Sequence, residues 1–432
     1  MNTHARTHLI TETRALLARL ALVKPFALQE TMLPAAALLP AAQIAIEKFL
    51  VSERRALRRL LLAFLRWLNR PHAAGASAAE AQGRFTILRL KFNIVLTQFD
   101  MFADVITQRS ETDTGVWLSG LDVVASDALA LPSYYSAPPI ICYLDRDIGA
   151  AIRRARTRMP GGGENPVAIV RVPRERMVGS GVASSLVHEV GHQAAALLGL
   201  VPSLRQILQG LQRGFGPARL ASQLWERWIS EIVADFWSVA RIGIASTLGL
   251  IGVVSLPRAF VFRLNVDDPH PIPWIRVKLS AAIGDALYPH AQWRRLSATW
   301  DSLYPPTGLA DEVRRLLEQL LATMPGLISL LINHRPRSLR GRSLREVMNT
   351  EERQPVQLDL VFRRWLAGPS EMYRASPSMA FAVIGQARAS GALGPETESA
   401  LLSKLLTFWA LRATLNMSEI CAGAPATRAL AA

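Results

Sequence analysis

The segment VHEVGHQ holds three residues with the types and spacing of a hydrolytic metal site. His188 and His192 stand four positions apart, which on a helix sets two imidazoles on one face, about 6 Å apart along the axis, within reach of one ion. Glu189 falls beside that stripe, where a carboxylate meets a metal-bound water without entering the ligand set. Zinc held by three protein groups with one open position lowers the pKa of its water to about 7, and Glu189 is then the base that takes the proton and returns it to a leaving amine.

A third ligand must come from elsewhere, because Ala195 and Leu198 occupy the places where a downstream Gly and His would extend the motif. The segment WERWISEIVADFWS offers Glu231, with Asp235 four residues on. Glu231 completes a two-His, one-Glu set, and Asp235 on the same helix face is spaced to hydrogen-bond the outer nitrogen of a liganding histidine. Glu226 is a rival ligand, but no acidic residue follows it at four-residue spacing. A solvated acidic helix edge is the plainer reading of Glu231 and Asp235.

His188, Glu189, His192, Glu231 and Asp235 together resemble the thermolysin-like gluzincins, in which HExxH on one helix is joined by the Glu of ExxxD on the next major helix. A further segment, DDPHPIPWIRVKL, sets His270 before Pro271 and Arg276 six residues later. It is similar to the His-Pro and downstream Arg element of the CAAX-processing and heat-shock membrane peptidases. That resemblance implies that His270 hydrogen-bonds the tetrahedral oxyanion and that Arg276 pairs with Glu231, Asp235 or the substrate backbone. Pro271 and Pro273, with Asp267 or Asp268 as a cap, also suit an ordinary helix start. The likeness spans about residues 139–290 and departs from the membrane peptidases in lacking their pairs of spanning helices.

These groups need a scaffold. Residues 139–144 (PIICYL) read as a strand, DIGAAIRRARTRM as a helix, PGGGENP as a turn, and VAIVRV as a strand closed by Pro173. VAIVRV is either a core strand or an edge that holds an extended peptide beside the zinc helix. PGGGENP lacks the Gly-Lys-Ser/Thr of a phosphate loop. The motif helix ends near Gly199 and Pro202, a second begins near Pro202 or Ser203, and a third runs from about Pro217 to Ile242. Tyr288 and His290 are either extra oxyanion donors or ordinary packing residues.

Upstream, residues 7–70 read as helical: Leu57, Leu60, Leu61, Phe64, Leu65 and Leu68 form one apolar face, and Arg55, Arg58, Arg59 and Arg66 lie mostly opposite. Such a helix packs on a core or lies on an anionic membrane. PHAAGASAAEAQG, residues 71–83, reads as a linker. Residues 310–415 give further helices. The expected architecture is α+β and mostly helical, with a zincin-like core at 84–300 between an N-terminal helical arm and linker (1–83) and a C-terminal helical region (301–432).

Composition fits a buried globular chain: of 432 residues, 50% are hydrophobic and 19% charged. The formal net charge of +15 favours acidic partners, yet no motif points to specific nucleic-acid binding. Cys142 and Cys421 are too few for a disulfide framework or thiolate metal site and suit a reducing compartment. Arg19 and Lys24 interrupt the leucine-rich N-terminal stretch, which does not read as a secretory signal. The uncharged run between Arg241 and Arg258 holds 16 residues and is short for a membrane span. The expected activity is zinc-dependent hydrolysis of a polypeptide in the cytoplasm, with peripheral contact to an anionic inner-membrane surface as a further partner. A membrane-surface or scaffolding protein with an inactive zincin-like core is the alternative. A metal hydrolase acting on another bond is the third reading.

Overall fold

The computed structural model describes residues 1–70, 75–145, 150–173, 180–212, 218–265 and 268–423. Helices dominate it around one small sheet, the mostly helical α+β class that the periodicities predict. Four helices come first: α1 (Thr3–Leu22), α2 (Pro40–Leu68), α3 (Ala78–Thr107) and α4 (Thr112–Leu129). Asn2 and Ser77 cap α1 and α3 by accepting backbone N–H bonds, and Pro40 opens α2 where its missing N–H is not needed. The inner stripes of α1, α2 and α3 share one apolar cluster that includes Leu16, Phe49, Leu57, Phe64, Phe92 and Phe102.

Residues 71–74 lie outside the described residues, and the expected linker is short beyond them. Ser77 already caps α3, whose alanine-rich first turns run through residue 83 with Ala81 buried, so the 83/84 boundary falls inside a helix.

Strands β1 (Ile140–Asp145), β2 (Ala151–Arg153) and β3 (Ala168–Pro173) form a sheet of order β1-β3-β2, with β1 parallel and β2 antiparallel to β3. Alternate residues serve two cores, as a two-residue repeat requires. Ile141 and Ile169 face the α1–α3 cluster, while Ile140, Cys142, Leu144, Ala168, Val170 and Val172 join the main core. Arg109, fully buried, ties α4 to β1: it pairs with Asp122 at 3.0 Å and donates to the Cys142 carbonyl at 2.6 Å, and the Cys142 N–H donates to Asp122 at 2.7 Å.

One expectation is corrected here, and one open alternative is decided for the core strand. DIGAAIRRARTRM is not a helix over its described part. Ala151–Arg153 is a strand, and a turn with Arg156 at φ 62° follows, held by Asn165 donating to the Arg153 and Arg154 carbonyls. Pairing with β3 overrides the helix propensity of alanine and arginine. VAIVRV is the central strand, buried on both faces, and the edges on either side of it are β1 and β2.

The main core is built on α5 (Ser180–Leu198), which packs against α7 (Ala218–Ile242) and α8 (Ile244–Val254) and, by its other side, on the sheet and α4. Between α5 and α6 (Leu200–Leu211) the chain bends by 78° at Gly199, whose φ of 62° suits a residue without a side chain. The uncharged run becomes α8, largely buried between α5 and α16 (Pro377–Ala389). After α9 (Arg258–Val261), α10 (Pro273–Leu287) returns to α7 and α8.

The remaining helices are α11 (Ala291–Leu303), α12 (Asp311–Ile332), α13 (Leu344–Val347), α14 (Pro355–Ala367), α15 (Ser370–Arg374) and α17 (Pro395–Gly423). Among the described residues, α12 alone is long and apolar enough to cross a membrane, and it packs on α7 and α10. The 300/301 boundary falls inside α11, and α16 and α17 close over α4, putting Phe381, Leu406 and Trp409 in the same core as Leu118 and Val187.

Candidate metal centre

α5 presents His188 and His192 on one face, ring centroids 4.9 Å apart. α7 runs across them and brings Glu231, so that one ligand atom from each of the three residues lies within 4.8 Å of the others. Glu231 Oε2 is 3.2 Å from His188 Nε2, and Oε1 is 3.5 Å from His192 Nε2. Gly191 permits this approach: a Cβ there would sit 2.9 Å from Ala234 Cα and 3.0 Å from the Ala234 carbonyl oxygen.

Around this trio stands a set of braces. Asp235 Oδ1 lies 2.7 Å from His188 Nδ1, which fixes that nitrogen as the protonated one and turns Nε2 toward Glu231. Arg276, on the first turn of α10, grips the same carboxylate through two bonds, Nε to Oδ2 at 2.7 Å and Nη2 to Oδ1 at 2.9 Å. Of the three partners considered for Arg276, it takes Asp235. Ser230 Oγ lies 3.4 Å from His192 Nδ1.

His270 arrives from the loop before α10, its Nε2 3.1 Å from Glu231 Oε2 and its Nδ1 2.6 Å from Asp268. Pro273 occupies the first turn of α10, but Asp268 does not cap that helix. Instead it accepts from both the backbone and the ring of His270. Asp267 lies outside the described residues.

The charges explain one another. Burial opposes a charged His188, yet Asp235 and Glu231 outweigh it and raise the ring's pKa to about 9. Burial likewise works against Glu231 and Asp235 as anions. Imidazole donors hold Glu231 well below the carboxylate range, and Arg276 with His188 does the same for Asp235. His270 is raised against its burial by Glu231 and Asp268.

A cleft of about 360 Å³ opens on this centre, with His188, Glu189 and His270 among its lining residues. Leu250, Val254 and Ile272 give it an apolar wall, and Ala150, just before β2, borders it. Two nitrogens and a carboxylate oxygen, with an oriented imidazole and adjoining space, form a donor set that fits zinc.

Other candidates lie elsewhere. Glu226 pairs with Arg205 at 2.9 Å. Tyr288 is buried and donates to the Ala240 carbonyl at 2.7 Å, and His290 Nδ1 accepts from Gln292 N at the start of α11. Both follow the packing reading. Gly191, Ser230 and the Asp268 brace were not singled out from the sequence, although Gly191 lies inside the motif itself. No family model matches this chain, and neither a curated protein nor a solved structure does.

Two outcomes follow. Substituting Gly191→Val should push α7 away, lowering zinc affinity by about tenfold to a hundredfold while leaving a folded protein; unchanged affinity in a metal titration would contradict the close-approach argument. The second concerns protons. With its pKa raised to about 9, metal-free His188 is charged at neutral pH, so its contribution to stability is full below the ordinary 6.5 and is lost as pH rises through about 9. Zinc binding through His188 would expel that proton, so calorimetry near neutral pH in buffers of differing ionisation enthalpy should show release of about one proton or more. A buffer-independent heat is the opposing result.

Proposed function

We propose that this chain is a zinc-dependent peptidase with a zincin-like core of the gluzincin kind. The observation that carries the reading is the meeting of Glu231 with His188 and His192, with Asp235 oriented on His188 Nδ1. His188, His192 and Glu231 would hold the metal. Zinc, when bound, acidifies a water and polarises a carbonyl oxygen.

The remaining chemistry belongs to the chain. Glu189, on the cleft wall one residue after His188, takes a proton from the attacking water and delivers it to the departing amine nitrogen. His270, braced through Nδ1 by Asp268, has its Nε2 3.1 Å from Glu231 Oε2 and would turn that N–H from the carboxylate to the oxygen that gains charge as the carbonyl becomes tetrahedral. Arg276 is a positioning residue: it holds Asp235, which holds His188. A polypeptide is the substrate that the surroundings favour, because the cleft offers an apolar wall and is bordered by Ala150, which leads into the edge strand β2, where extended backbone can pair.

Substituting Glu189→Gln should leave zinc stoichiometric and lower kcat by about 10²–10⁴-fold on a library of internally quenched peptides. Undiminished hydrolysis by that variant would remove Glu189 from the mechanism. Hydrolysis confined to ester or phosphate substrates would reassign the reaction class.

A further inference from the structure

The outward face of α2 carries a feature that peptide hydrolysis does not use. Lys48, Arg55, Arg58, Arg59, Arg66 and Arg70 are exposed along it and just past its end, and none has a side-chain hydrogen bond or ion pair among the described residues. They extend over about 33 Å at 1.5 Å per residue. The acidic residues of α2 do not neutralise them, since Glu53 turns toward Gly163 and only Glu47 borders the stripe.

Arg55 repels Arg58 and Arg59, and Arg66 repels Arg70, at the three- and four-residue spacings where like charges weaken a helix. Folding therefore gives no reason for the stripe. Aliphatic side chains are set among the cations. A groove of about 580 Å³ includes Val51 with Lys48 and Arg55, and one of about 500 Å³ includes Leu62 and Leu65 with Arg66; Arg59 borders both. Ile44, 43% exposed, extends the aliphatic set toward the helix start.

We propose that this face docks on an anionic lipid bilayer, with the cations on headgroup phosphates and Ile44, Val51 and Leu62 against the boundary beneath them. The aliphatic residues favour lipid over nucleic acid, which would leave them without a partner. Base stacking has no platform on the stripe. Phe49 and Phe64 of the same helix are buried, and Trp67 is stacked on Phe64 with Arg84 over its ring. Docking of this kind is independent of the metal centre.

Flotation of the full-length protein tests it, using vesicles of phosphatidylcholine alone and vesicles in which roughly a third of the lipid is phosphatidylglycerol. The protein should float only with the anionic vesicles at ~0.1 M salt and be released as the salt approaches ~1 M. Replacing Arg55, Arg59, Arg66 and Arg70 together by Gln should weaken vesicle binding on the order of several hundredfold, about fivefold per charge, with circular dichroism and zinc content unchanged. Failure to float with anionic vesicles, or equal flotation of the variant, overturns the proposal. Tighter binding to an oligonucleotide than to the vesicles, lost in the same variant, overturns it in favour of nucleic acid.

Discussion

The Glu231 carboxylate can meet the imidazoles of His188 and His192 only if α5 and α7 touch, and in this protein the contact is made where α5 has no side chain. At Gly191 the backbone of α7 comes in at Ala234, one turn from Glu231 and one residue from Asp235. Much of the molecule holds that crossing in place. The sheet and α4 support α5 from behind, α8 closes its far side, and α10 delivers Arg276 across Asp235. The remaining helices wrap this arrangement and exclude water from most of its charges.

Burying these charges is costly, and the pattern of compensation is informative. Asp235 and Arg276 are each at most 8% exposed and are joined by two hydrogen bonds. Pairs of this kind often contribute less to stability than apolar residues of the same volume. A core built for stability alone has no need of two buried anions, a raised imidazole and an arginine in one chain of contacts. Arg276 holds Asp235, Asp235 holds His188, and His188 meets Glu231, the kind of relay by which a fixed carboxylate orients an imidazole.

The helices and the spacing of the site were legible because both follow the 3.6-residue repeat. His188 with His192, and Glu231 with Asp235, must share helix faces once helices form. What was not legible depended on partners distant in the chain. The choice between Glu226 and Glu231 depended on how α7 crosses α5: Glu231 meets His188 and His192, while Glu226, on another face of α7, pairs with Arg205. The partner of Arg276 and the brace on His270 arise from α10 and its leading loop meeting α7. Residues 151–153 carry helix-favouring alanine and arginine, yet they complete a sheet whose central strand offered unpaired backbone. The basic face of α2 was visible in the sequence, but that its cations have no ion pair among the described residues required the packed structure.

The proposed chemistry depends on one ion at one place. X-ray absorption at the zinc edge, on protein loaded with one equivalent, tests it most directly. It should report two imidazole nitrogens at about 2.0–2.1 Å with oxygen ligands, and the signature should change when Glu231 is replaced by Gln. A protein that binds no zinc, or whose zinc environment is the same with and without Glu231, would contradict it.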